Sequence, residues 1–288
     1  MPLLTISDLN QPQQQLTPYL ELANRLSQMY FDYIQSVQDE SYKYTVEVFG
    51  SAGRKNGIHA SEMSNCLRLM VYSLMNTQRW SDPSSTDVNM LMRFNLGTAV
   101  HAMVQNDWHR IAAKTGGWLH FQDEVPISPE FGGMAAKWGL HSSCDGVFTF
   151  LDPQSHPILR VGLEIKTESG PQFEKLKAPR DYHREQTTLY QAALDVPLMW
   201  VFYYNKSNSN ITTSYAPYLY QFDPKLWEKL EARFAQAYQL AHAQQLPDRS
   251  EGMHCKWCPF SYTCQPAALK GTPPKRDRLA QGMRKRQR

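Results

Sequence analysis

The chain lacks a segment able to cross a bilayer. Its apolar stretch from Leu198 to Tyr204 falls far short of the roughly 18 residues a span requires. Met1 to Asn10 has neither the basic patch nor the long apolar centre of an export leader, so a cytoplasmic protein with no membrane partner is expected. Cysteine is scarce, with five in 288 residues. That number without an export signal argues against a disulfide framework. No G-x4-G-K-[ST] phosphate loop occurs, which excludes a built-in motor of that type, and no internal repeat is visible. Net charge is also small, at +3.

What charge there is lies at one end. From Lys270 to Arg288 there are eight Lys or Arg against one Asp, so residues 1–269 are net negative by about four. This basic tail, with Arg284, Lys285 and Arg286, is either a handle for a polyanion or a solvated terminus. The remainder, 42% hydrophobic and 12% aromatic overall, can supply a sizeable core. Residues 1–15, rich in Gln and Pro, read as a loose arm, 16–269 as a single domain and 270–288 as the tail.

Helical spacing of Leu22, Leu26, Met29, Tyr33 and Val37 follows the Thr17-Pro18 start. A second helix is expected to begin near Ser61, placing Cys66 about two turns in. A third is expected over 87–114, with Leu91, Phe94, Val100 and Val104 inward. Strands are expected at 118–127, 135–150 and 158–167, then a helix at 179–194, strands at 197–205 and 212–221, and a helix at 223–245. The order predicts one α/β domain with an N-terminal helical region.

Two constellations carry chemistry. Glu164 and Lys166 lie two apart in Val-Gly-Leu-Glu-Ile-Lys, an apolar strand on which side chains at i and i+2 face one space. Unpaired charge is costly there. The preceding strand can bring Asp145 alongside. Two carboxylates at ~4 Å repel by roughly 4 kcal/mol at an effective dielectric of about 20, which a Mg or Mn ion would relieve. The backbone carbonyl of Ile165 can add an oxygen, and His101 on the third helix an imidazole nitrogen. Lys166 would then orient a water or neutralise charge on a phosphoryl group. Gln186 and Tyr190, four apart on one helical face, would fix Lys166 or a nucleic-acid backbone.

The second constellation is Cys255-x2-Cys258-x5-Cys264 with the distant Cys66. Three local thiolates and one remote thiolate suit a [4Fe–4S] cluster, and Zn is the competitor for the same four ligands. Either would close a very long loop and contribute folding free energy. Cys144 reads as a small buried residue. Tyr203, Tyr204 and Lys206 read either as a base-stacking and phosphate-holding element on DNA or as a strand end leading into a polar hairpin.

Jointly these residues resemble the PD-(D/E)XK nuclease superfamily, in its RecB-like branch with an iron–sulfur staple, which includes CRISPR-associated RecB-like exonucleases. The resemblance runs from about Ile58 to Cys264. It rests on Ser61 to Cys66, His101, Cys144-Asp145-Gly146, Glu164-Ile165-Lys166, Gln186, Tyr190 and the closing cysteines. Cys144 stands where the superfamily name has Pro. The resemblance implies a restriction-endonuclease-like core, a central mixed sheet flanked by helices. It also implies a Mg- or Mn-dependent DNA exonuclease acting on single strands or free ends. Such a chain would serve recombination, repair or replication, with a helicase or recombination partner, in a host cytoplasm if phage-encoded. The alternative is a non-catalytic Fe–S or Zn module that holds DNA without cutting it.

Overall fold

The computed structural model describes residues 17–36, 58–62, 66–77, 88–207, 215–250, 252, 255 and 258–264. Five strands form one sheet in the order β1 (Leu119–Ile127), β2 (Ser142–Leu151), β3 (Pro157–Glu168), β4 (Leu198–Asn205) and β5 (Tyr215–Gln221). Neighbours are antiparallel except β3 and β4. A parallel pair needs a long crossover, here supplied by α5 (Gly170–Phe173) and α6 (Asp181–Leu194). The mixed sheet flanked by helices matches the fold class expected of a restriction-endonuclease-like core.

Helices cover both faces. On one side α1 (Thr17–Ser36) and α3 (Val88–Lys114) bury Leu26, Tyr30, Val104 and Trp108 against Phe148, Trp200 and Phe202. The Trp108 ring lies 4.7 Å from that of Phe148 and 5.6 Å from that of Trp200, both edge-on, an arrangement that aromatic quadrupoles favour. On the other side α2 (Leu67–Leu74), α4 (Gly133–Trp138), α6 and α7 (Pro224–His242) enclose Val71, Leu189, Tyr190, Met199 and Phe234. The Asp223 side chain caps α7 by accepting from the N–H groups of Lys225 and Leu226, with Pro224 in its first turn. A last short helix, α8 (Ser261–Cys264), closes the described chain.

Two sequence expectations are corrected. The strand expected over 135–150 begins only at Ser142, because residues 133–138 form α4, ended by Gly139 in a left-handed conformation at φ 54°. The helical turn lets Trp138 stack on Phe234 at 5.6 Å while Ala135 is buried. The helix expected to start near Ser61 starts at Leu67. Ala60–Glu62 is a single 3-10 turn whose Glu62 is buried, and Cys66 is the extended residue at the head of α2 rather than two turns inside a helix. The tail, the N-terminal arm, Val37 and the side chains of Leu91 and Phe94 lie outside what the structure describes.

Gly146 ends the β2–β3 ladder, opposite Leu163. A methyl there would collide with the Phe121 ring, reaching 2.6 Å from Cζ, and that ring is wedged against Phe148 and Trp108. The methyl of Gly162→Ala would meet only the flexible Met199 side chain and Val196. Gly146→Ala is therefore expected to cost about 1–3 kcal/mol in urea unfolding and Gly162→Ala clearly less. Equal losses would show that the Phe121 wedge yields as readily as a methionine.

Candidate active site

The site grows from a fork in the sheet. Beyond Gly146 and Leu163, β2 and β3 no longer pair. The Ile165 N–H, left without a rung, donates to the Asp145 carboxylate at 2.6 Å. A side chain takes the place of a strand, and Asp145 is thereby fixed between β2 and β3. Its other oxygen lies 3.3 Å from His101 Nδ1 on α3. Its main-chain carbonyl accepts from Gln105 Nε2 at 2.9 Å.

Glu164 and Lys166 face one space, as their spacing requires. Lys166 Nζ is 2.5 Å from Glu164 Oε1 and donates to Gln186 Oε1 at 3.1 Å. The Gln186 amide uses both its hydrogens, one on Glu164 Oε1 at 3.0 Å and one on the Tyr190 hydroxyl at 2.7 Å. Tyr190 in turn pairs with Ser142 Oγ at 3.2 Å. Thus Asp145 and His101 form one polar group and Glu164, Lys166, Gln186 and Tyr190 a second, the two meeting at β3, where the Ile165 N–H that Asp145 accepts lies between Glu164 and Lys166.

Electrostatics follow from burial. Burial, reinforced by the charge of Asp145, pushes the Glu164 carboxyl well above the usual carboxylate range despite Lys166. Burial also opposes ionisation of Asp145, but His101, Lys166 and the Ile165 N–H outweigh it and hold that carboxyl low. His101 and Lys166 are both pushed up, because the carboxylates beside them overcome their desolvation. Glu164 Oε2 is buried with no hydrogen-bond partner. A desolvated carboxylate oxygen of this kind suits a hard cation. As arranged here, no group of three or more His, Cys, Asp or Glu among the described residues is set to hold a metal ion; the Lys166 ammonium is the cation in contact with Glu164.

Three participants were not expected from the sequence. Gln105 follows His101 by four on α3, a spacing that places both on one helical face. Glu124 accepts from Gln105 at 2.9 Å and from Ser143 Oγ at 2.7 Å. Its left-handed φ of 44° interrupts the β1–β2 register opposite Asp145, and no sequence pattern signals that. Ser142 is the third.

Of the two readings of Tyr203, the strand end is the one the fold bears out, since Tyr203 lies inside β4 near its end and does not face solvent. Tyr203 is fully buried, and its hydroxyl accepts from the Arg180 N–H at 3.1 Å and meets His183 Nδ1 at 2.6 Å. Tyr204 packs partly buried against the first core, and Lys206 is half-buried, its N–H donating to the Glu168 carbonyl. Arg284, Lys285 and Arg286 lie outside the described residues. Cys144 is fully buried in the second core, its thiol directed at the carbonyls of Gly146 and Leu163.

At the head of α2, Cys66, Cys255, Cys258 and Cys264 line one cavity of about 20 Å³ together with Arg68 and Arg249. The buried apolar support around them is thin, consisting of Leu69, Tyr72 and Phe260. Arg68 donates to the Pro247 carbonyl at 2.8 Å, tying α2 to the closing segment. Burial pushes the Cys258 thiol up to about 11.

No family model and no curated protein matches the chain. Among solved structures it is similar to an alkaline exonuclease, LHK-Exo, from Laribacter hongkongensis, at 14% identity over 66% of this chain and 89% of that one, with a TM-score of 0.42. The structure of LHK-Exo in complex with dAMP is similar at 15% identity over the same shares, with a TM-score of 0.46. SSO0001 is similar at 14% identity over 85% of this chain and 98% of that one, with a TM-score of 0.40. No helix among the described residues is long and apolar enough to cross a membrane.

His183 anchors α6 beneath the site. Burial, with Lys166 and Arg180 nearby, pushes its pKa down to about 2. The unfolded chain takes up a proton at this histidine near pH 6.5 and the folded chain does not. Stability that is full above pH 6.5 is therefore lost as pH falls, by up to about 1.4 kcal/mol per unit. His183→Asn is expected to be less stable at pH 7 but to lose stability less steeply between pH 6.5 and 5 in parallel urea titrations. Identical slopes would show that His183 is protonated in the fold.

Proposed function

We propose that this chain is a Mg- or Mn-dependent deoxyribonuclease of the PD-(D/E)XK superfamily and its RecB-like branch. It would act as an exonuclease on single-stranded or free-ended DNA, through one domain spanning 16–269. The observation that carries this reading is the meeting of Asp145, Glu164, Lys166 and Gln186 at the β2–β3 fork, with one Glu164 oxygen buried and unsatisfied.

Asp145 and Glu164, with His101 and the Ile165 carbonyl, would hold the divalent ion. When bound, the ion supplies Lewis acidity toward a phosphoryl oxygen and a water. Lys166 is held by the Gln186 carbonyl as well as by Glu164, so its ammonium has a fixed direction. It donates to the attacking water or to the phosphoryl oxygen on which negative charge grows. Water adds to phosphorus, the ester P–O bond breaks, and a proton ends on the leaving oxygen. Tyr190 and Ser142 lock the Gln186 amide in the orientation this requires.

Labelled single- and double-stranded DNA with Mg or Mn tests this directly. Glu164→Gln and Lys166→Ala are expected to lower cleavage by roughly 10²–10⁴-fold with circular dichroism unchanged. Cleavage equal to wild type would remove the site from the chemistry. DNA binding by the wild type without metal-dependent cleavage would favour the accessory-module reading.

For the cysteine site we propose a [4Fe–4S] cluster, with Zn as the competing occupant. Four thiols lining one cavity, where little apolar surface is buried, are the supporting observation. Protein purified without oxygen is expected to be brown, absorbing broadly near ~400 nm, and Cys258→Ser to lose both the colour and part of the stability. A colourless protein carrying one Zn would replace the cluster with Zn.

A further inference from the structure

On α6, Tyr182, Gln186 and Tyr190 fall four residues apart and share one face. The stripe runs from interior to solvent: Tyr190 is 2% exposed, Gln186 7% and Tyr182 46%. Gln186 touches both Glu164 and Lys166, so Tyr182 stands one helical turn, about 6 Å along the axis, from the group that positions the lysine. Its hydroxyl is within electrostatic reach of Lys166.

The ring is also backed. The His183 imidazole meets it edge-on at 4.2 Å, and His183 is itself held by the buried Tyr203 hydroxyl at 2.6 Å. Arg180, at the head of α6, is fixed by Glu168 at 2.9 Å. A large aromatic on such a support, half open to water, gains nothing for folding from its exposed area. The loop leading into α6 carries Lys175 and Lys177, both exposed. Exposed aromatic surface and nearby chain cations together are the composition that grips unpaired nucleic acid, where a base face stacks on a ring and the phosphates meet the charges. A base inside a duplex has both faces covered by its neighbours, so a lone ring reaches only an unpaired or frayed base.

We propose that Tyr182 is the stacking platform for an unpaired DNA base next to the phosphodiester held at Lys166, with Lys175 and Lys177 on the adjoining phosphates. The inference rests on the nuclease reading for the position of that phosphodiester and adds what selects the single strand. Tyr182 is 46% exposed, and Tyr182→Phe keeps its ring against His183.

Fluorescence anisotropy of the full chain with a labelled twelve-residue oligo-dT, in EDTA so that nothing is cut, provides the test. Tyr182→Ala is expected to bind about 5- to 100-fold more weakly and Tyr182→Phe like wild type. An abasic residue walked along the oligonucleotide is expected to weaken wild-type binding most at one position and to cost Tyr182→Ala nothing further there. Wild-type affinity in Tyr182→Ala, equal losses in Ala and Phe, or an abasic penalty that persists in Tyr182→Ala would each overturn the proposal. Cleavage of the same oligonucleotide with Mg separates the two readings. Tyr182-dependent binding without any cleavage would sink the nuclease reading and leave the platform, whereas cleavage with binding indifferent to Tyr182 would do the reverse.

Discussion

The bond from the Ile165 N–H to Asp145 organises everything around it. A buried amide without a partner costs on the order of 1–3 kcal/mol, so where β2 leaves β3 something must accept that hydrogen. The acceptor is a carboxylate, which makes the break in the ladder and the placing of a negative charge one event. Asp145 cannot swing away without orphaning a backbone group, and β2 cannot zip up without expelling Asp145.

From that anchor the network reaches outward on both sides of the sheet. α3 contributes His101 and Gln105 to the Asp145 side, and α6 contributes Gln186 and Tyr190 to the Glu164 and Lys166 side. Each helix is held by its own apolar cluster, Trp108 beneath α3 and Leu189 beneath α6. Each apolar cluster thus packs the helix that carries its share of the polar groups. A buried Glu164 with an unsatisfied oxygen is a stability cost, and such costs concentrate where chemistry is done.

How legible this was depended on whether the signal was local. Glu164 and Lys166 could be read because an apolar strand leaves charged residues conspicuous and a period of two assigns them one face. Gln186 and Tyr190 followed from a period of 3.6. The sheet and its flanking helices were legible for the same reason. Residues 133–138 were not, because Met134, Ala135 and Trp138 suit a strand or a helix until Phe234, about a hundred residues later, chooses the helix. Glu124 was illegible because its role depends on a left-handed backbone angle at an irregular rung. Tyr203 stayed open between two readings because an aromatic pair before a lysine suits a binding surface as well as a strand end, and only the fold shows it turned inward onto His183.

The central claim is that Asp145 and Glu164 share one hard cation at the fork. Calorimetric titration of the intact chain with Mn²⁺ addresses it without depending on any DNA substrate. One ion is expected to bind, with binding lost in Asp145→Asn and in Glu164→Gln but kept in Tyr182→Ala. Equal binding in all four proteins, or none in the wild type, would contradict the account.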